Sequence, residues 1–393
     1  MAQQLLLSSK EPTLPVSTHV VNDTPQPNQS SLLQHPNQFA IVMIHYHKTG
    51  FVLSRQLRSH AVEHLNHHLH ANFTLPPPEK SWGSIRQPRK FESNHCPMEF
   101  GLEPGRIHVQ ESPDLYCNGT ELAKVFLSPE SEVAGTKLIH FVRNPYSMAL
   151  SNYYYHAQIP TPEPWVNHHH PCKLHYRNDT NNTLRELLFP TLSDASILTQ
   201  DMFDQVVELC TSLYQTQPDF QEKSFGQHLQ HLDPIQGLKL ATTQMMIRGG
   251  GVVRMPGGDL LRMSNNILRL KQLQQRTEDP WLDPPFMVHS ISMDEFLQDP
   301  LTVTETYLNL LLMGRTHSTP INEGRRRRMI PSIAHRFVRR YHHFQRNENE
   351  KHITNGKHED RHELIDSLKK DAVLGPILDS IETLYYEALE SNV

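Results

Sequence analysis

The chain lacks most of the features that would place a protein at once. Only four of its 393 residues are cysteine (Cys96, Cys117, Cys172, Cys210). None stands in a CxxC pair, so the usual spacing of a zinc site is missing. No apolar run approaches the roughly 18 residues of a membrane helix. The opening MAQQLLLSSKEP has three consecutive leucines, short of the roughly 7–15-residue core of a signal peptide. Nor is there a surplus of positive charge. Lys and Arg number 37 against 42 Asp and Glu, a net charge of −5 with histidine neutral, which removes any global case for nucleic-acid binding. Hydrophobic residues make up 37% and the mean hydropathy is −0.55. Both are low for a compact domain, so part of the chain reads as tail and long loop.

The length is enough for a sizeable core and one large or two ordinary domains. Six Asn-x-Ser/Thr sequons begin at Asn22, Asn28, Asn72, Asn118, Asn178 and Asn181. They matter only in a secreted glycoprotein. The even cysteine count allows four buried thiols or two disulfides. These features favour the Golgi lumen, against the missing entry signal. Either the chain is truncated or incorrectly started, or the protein is cytoplasmic and the sequons are idle.

Residues 1–38 are rich in Pro, Ser, Gln and Asn without periodicity and read as a disordered arm. A main domain is expected over 39–320. A basic segment and a C-terminal helix over 321–393 would pack on it or extend it. FAIVMIH (39–45), RIHVQ (106–110), KLIHFV (137–142) and FMVHSI (286–291) read as strands. Helical stretches fall between and after them. Asn144 suits an N-cap and Pro145 the first helical position; Asp299-Pro300 has the same form. From about Arg361, apolar residues at Leu364, Leu368, Val373, Ile377, Ile381 and Tyr385 predict one further helix. Strands alternating with helices predict an α/β fold, three layers α/β/α with a mainly parallel central sheet.

In such a sheet the ligand lies at the carboxyl ends of the strands. Lys48-Thr49-Gly50 stands at the end of the first strand, just before a helix. A helix N-terminus there offers N–H groups to a phosphate or sulfate, and a lysine adds a point charge. The bland alternative is a surface lysine at a strand end. The turn is not a Walker A loop, because Val42 and His47 stand where that loop has its glycines. Magnesium-dependent ATP chemistry is therefore not the natural inference. Arg143 ends another strand, and Ser151 lies in the helix that follows. Guanidinium and hydroxyl together suit a phosphate monoester; the bland alternative is a capping Arg and a core-facing Ser.

HYHKTG, followed about ninety residues later by KLIHFVRNPYSMALSNYYYH, resembles the sulfotransferases that use 3′-phosphoadenosine 5′-phosphosulfate (PAPS). SISMDEFLQDPLTVTETYLNLLLM (290–313) is similar to that family's later strand–helix segment. The resemblance implies a P-loop-like sulfotransferase fold covering residues 40–313 loosely. It implies that Lys48 and the N–H groups of Thr49, Gly50 and Phe51 grip the 5′-phosphosulfate, and that Arg143 and Ser151 grip the 3′-phosphate. Phe51 and Val52 depart from the small hydroxyl residues many members carry there, which leaves only backbone donors at that point. PAPS is then the co-substrate, and no metal is required. For the general base the resemblance ranks Glu111 first, His108 second, and Glu63 or His60 after them.

The implied reaction moves a sulfuryl group to an acceptor hydroxyl, with a carbohydrate favoured by the sequons and the basic segment 324–346. That segment reads equally as a solvated helix face or as a contact for an anionic glycan. The histidine clusters HLNHHLH (64–70) and NHHH (167–170) have no metal-ligand partners placed by the sequence. Two other readings stay open: a non-catalytic nucleotide- or sulfated-glycan-binding protein of the same fold, and a different P-loop-like nucleotide transferase.

Overall fold

Runs of β-branched and large apolar residues with no polar alternation form strands covered on both faces, the pattern of a parallel sheet. A computed structural model of the chain describes residues 39–46, 48–71, 73–75, 104–111, 135–158, 166, 172, 197–216, 219–220, 222–247, 258–277, 286–313, 323–347 and 360–390. Among the described residues four strands make one sheet: β1 (Phe39–His45), β2 (Ile107–Glu111), β3 (Gly135–Val142) and β4 (Phe286–Ser292). The two central ones, β1 and β3, are of this kind. The order is β2-β1-β3-β4 and every pairing is parallel. Because β1 sits between β2 and β3, successive connections leave it on opposite sides. That makes the carboxyl ends of β1 and β3 a topological switch point.

Alternate residues of each strand face opposite layers. On one face Ile41, Met43, Ile139 and Phe141 pack under α1 (Phe51–Leu69), α8 (Pro300–Leu312) and α9 (Glu323–Asn347). On the other, Ala40, Val42, Ile44, Leu138 and Val142 meet α2 (Pro145–His156), α3 (Gln200–Gln215), α5 (Pro234–Ile247) and α6 (Asp259–Thr277). The same layer includes α10 (Arg361–Lys369) and α11 (Leu374–Glu390). The architecture is three-layer α/β/α. Two short helices, α4 (Phe225–His231) and α7 (Met293–Gln298), complete it.

Local signals start the helices. Asn144 accepts from the Tyr146 and Ser147 N–H groups with Pro145 at the first position. Asp299 does the same for α8 through Thr302 N–H at 3.1 Å. Ser224 and Gln227 form a capping box on α4. At the other end of α8, buried Lys137 of β3 donates to the carbonyls of Leu310, Leu311 and Met313, which the helix itself leaves open.

The single C-terminal helix expected from periodicity is two. Asp371 Oδ1 takes the N–H groups of Val373 (2.9 Å) and Leu374 (2.8 Å) and so caps a new start, while its Oδ2 pairs with Lys239 at 2.8 Å. Apolar spacing continues across the break because both helices face the same core. The basic segment forms α9, with Ile330, Ile333, Ala334, Phe337 and Tyr341 buried and Arg325, Arg327, Arg328, Arg336, Arg339 and Arg340 exposed.

Cys172 and Cys210 are joined in a disulfide with Cα atoms 5.7 Å apart; Cys96 and Cys117 lie outside the described residues. So do the six sequon asparagines, the arm 1–38 and the histidines 168–170. Among the described residues no helix is long and apolar enough to cross a membrane.

Gly258, just before α6, lies close against the end of α5. A Cβ there would lie 1.7 Å from the Met245 carbonyl oxygen, and its own N–H already bonds Met246 O at 2.7 Å. Gly258→Ala forces α5 and α6 apart and is expected to cost about 3 kcal/mol, the upper end of ordinary overpacking. Urea unfolding checks this, and an unchanged midpoint would show that the helices are not in contact there.

Candidate active site

The turn after β1 is built by its own polar groups. Thr49 Oγ1 accepts from Tyr46 N–H at 2.6 Å and donates to Tyr46 O at 3.0 Å. The Thr49 N–H also donates to Tyr46 O, at 3.0 Å. This closure forces Lys48 to φ +68° and Gly50 to φ +105°. The first is a left-handed conformation rare for a residue with a side chain, and such strain concentrates at functional sites. The second suits glycine, and a Cβ on Gly50 would come 3.1 Å from Met293 Sδ. The helix α1 that follows has no side-chain cap and no acidic residue in its first turn. Its first N–H groups are thus presented to the carboxyl edge. Of the three backbone donors expected from the sequence, the Thr49 N–H is engaged within the turn.

Lys48 reaches across the switch point. Its Nζ lies over the Tyr155 ring, 2.7 Å from the centroid, a cation–π seat supplied by α2. Arg143, at the end of β3, donates from Nη1 to the Lys48 carbonyl at 2.9 Å. Its Nε faces Asp294 Oδ1 at 3.4 Å, and Asp294 Oδ2 accepts from the Asn144 N–H at 2.7 Å. Burial lowers the Arg143 pKa and Asp294 opposes that shift; a guanidinium stays charged in either case. Ser151 lies further along α2, at 8% exposure. Beyond Asp294 a cleft of about 700 Å³ opens between α7 and α11, lined by Glu295, Glu390, Arg361 and Tyr386 among others. Its carboxylates make it a poor seat for a phosphate, so cleft size does not locate the anion site.

The base candidates separate by position. Glu111 is paired in register with His45, the last residue of β1, so its backbone is at the carboxyl edge; its side chain lies outside the described set. His108 pairs with Val42, three residues down the strand and roughly 10 Å below that edge. Burial, then Arg106 and Arg58, push its pKa down to about 4, which makes it a weak base. His60 bonds Ile333 O at 3.0 Å and packs on Phe337 of α9. Glu63, 62% exposed, faces Arg340 at 3.7 Å. Both are more than two turns along α1, roughly 14–18 Å from the turn, and the fold does not bring them to the crevice.

Two site residues escaped sequence reasoning. Asp294 orients Arg143, and an acidic residue just past the end of a parallel strand was the available signal. Tyr155 lies in the aromatic run SNYYY of α2, where it is buried and also carries the Lys48 ammonium. A buried polar chain lies beneath the site. Asn266 Nδ2 donates to Tyr46 Oη at 2.8 Å, and Tyr46 Oη lies 2.7 Å from His140 Nε2. Burial pushes the His140 pKa down to about 3, so the ring is neutral near pH 7. Compared with known proteins, the chain matches no family model, no curated protein and no solved structure.

Proposed function

We propose that this chain transfers the sulfuryl group of PAPS to an acceptor hydroxyl of a carbohydrate. The observation that carries the reading is the junction of Lys48 and Arg143. Two basic residues at the ends of adjacent parallel strands are joined at the switch point by the 2.9 Å bond from Arg143 Nη1 to the Lys48 carbonyl, beside an uncapped helix start. This donor set suits a ligand with phosphate or sulfate at both ends. The acceptor oxygen attacks sulfur in line as the bridging S–O bond breaks, and 3′,5′-ADP leaves. Lys48 neutralises charge on the bridging oxygen, and the Gly50 and Phe51 N–H groups hold the 5′-phosphate. Arg143 and Ser151 take the 3′-phosphate. The acceptor proton passes to Glu111, a step worth roughly 10²–10⁴-fold in general-base catalysis. The work is otherwise positioning and charge neutralisation. The exposed arginines of α9 favour an anionic glycan as acceptor.

Calorimetric titration with 3′,5′-ADP tests the donor class, with 5′-AMP and Mg·ATP as controls. Tight binding that needs the 3′-phosphate is expected; absence of binding to folded protein would remove the reading. Arg143→Ala is expected to weaken nucleotides bearing a 3′-phosphate by roughly 1.5–3 kcal/mol, the scale of a charge-assisted contact. Equal weakening for nucleotides without it would show that Arg143 acts only on the turn. A second reading, binding without turnover, draws on Asp294, whose carboxylate already offsets part of the Arg143 charge. It predicts normal 3′,5′-ADP binding and no effect of Glu111→Ala on any transfer.

A further inference from the structure

Arg58 lies on α1 one turn beyond Ser54, whose Oγ is 3.3 Å from His45 Nδ1. It is 6% exposed. Among the described residues, its enclosed Nε and Nη1 have no hydrogen-bond partner. Guanidinium cannot shed its proton in a protein, and burying such a charge without a partner is among the costliest arrangements a fold can hold. Among the described residues, the groups that act electrostatically on Arg58 are Tyr307 of α8 and Arg55 of α1. Arg58 acts in turn on His45 of β1 and His108 of β2, and Arg106 also acts on His108. None of these is an anion near neutral pH. The contrast with Arg143 is direct: that buried guanidinium has Asp294 and a carbonyl.

Geometry separates this cluster from the one at Lys48. The Lys48 ammonium leans onto Tyr155 of α2, towards β3. Arg58 belongs to the opposite layer, on the β2 side of β1, the strand whose carboxyl end carries Glu111. With the donor nucleotide across β1 and β3, the β2 side is where the acceptor must approach.

We propose that Arg58 anchors a second oxyanion site, which takes a sulfate ester or carboxylate carried by the acceptor. The assignment to the acceptor rests on the sulfotransferase reading above; the site itself does not. An oxyanion there supplies the acceptors that Nε and Nη1 lack, in the paired geometry a guanidinium favours. The enzyme would then modify saccharides that are already anionic.

The test is thermal unfolding of the full chain, with and without saturating 3′,5′-ADP, as inorganic sulfate replaces chloride at constant ionic strength. Sulfate also stabilises proteins generally by exclusion, so the informative quantity is the difference between wild type and Arg58→Met. Wild type is expected to show a saturable rise in Tm that survives 3′,5′-ADP. In Arg58→Met the half-saturating concentration should rise at least about tenfold, the scale of one lost charge-assisted contact. Arg58→Lys should retain part of the response, and it serves as the second variant if Arg58→Met does not fold. Equal responses in wild type and variants would overturn the site. A sulfated disaccharide that competes with sulfate, when its unsulfated counterpart does not, supports the acceptor assignment. A response to inorganic sulfate alone overturns that assignment. If 3′,5′-ADP fails to bind while the Arg58-dependent response persists, the nucleotide reading falls and the oxyanion site stands.

Discussion

With Lys48 replaced by alanine, the proposed transfer from PAPS to saccharide acceptors is expected to fall by roughly 10²–10³-fold, the usual loss when one preorganised charge stabiliser is removed. Affinity for 3′,5′-ADP should change far less. The two effects separate because the residue does two jobs with different atoms. Its carbonyl receives Arg143, and alanine keeps that carbonyl. Its ammonium, seated on Tyr155, is what alanine deletes. Alanine and lysine bear a similar penalty at φ +68°, so the turn should survive. Lys48→Arg should not restore the rate, because a planar guanidinium fork with delocalised charge cannot place a point charge where the ammonium stood. Radiolabelled transfer assays beside calorimetry read both quantities. A rate within about threefold of wild type, on the scale of small surface effects rather than a lost catalytic charge, would sink the mechanism.

Acid should destabilise this fold sharply. His45 and His140 are buried, at 0% and 1% exposure. Burial pushes both pKa values down to about 3, with Arg55 and Arg58 adding to the shift at His45. Their unfolded pKa is about 6.5. A depressed folded pKa means that the unfolded chain binds protons first as pH falls. The stability is complete above about pH 6.5 and is lost on descent towards pH 3. Between pH 7 and pH 5 the change is set by the unfolded value, about 2 kcal/mol for each histidine and about 4 together. Against a total of about 5–15 kcal/mol for ordinary domains, that is a large share. Urea unfolding at the two pH values measures it, and a flat response would mean that both rings are protonated or hydrated in the native state. Replacing His140 with glutamine, which cannot titrate, should remove that ring's share of the change, about 2 kcal/mol.

Much of this arrangement was readable from local pattern. FAIVMIH and KLIHFV are apolar without alternation, so they had to be covered on both faces. Asn144-Pro145 and Asp299-Pro300 are short-range helix starts that need no tertiary context. Lys48 and Arg143 were each readable as charges at strand ends. What local pattern does not contain is which strands pair. The order β2-β1-β3-β4 is a long-range property, and only that order puts Lys48 and Arg143 beside each other. The same holds for Glu111, whose level at the edge follows from its register with His45. Asp294 could not be matched to Arg143 without knowing that β4 lies next to β3. At Thr49 the competing demand was the turn itself, which engaged a donor that spacing alone left open. The C-terminal break was hidden because Asp371 interrupts the backbone without interrupting the apolar stripe.

The bond from Arg143 to the Lys48 carbonyl also makes the crevice a thermodynamically linked device. A ligand fragment that immobilises the Arg143 guanidinium restrains the backbone of the turn that must receive the other end of the nucleotide. Fragments bearing only one of the two anionic ends should then bind with positive cooperativity. The enhancement must be the same whichever fragment is added first. Under the proposed sulfuryl transfer, loss of the sulfuryl group would leave both anchors of the nucleotide in place, so the spent product should be slow to leave. At saturating substrate, its departure would set the pace of turnover.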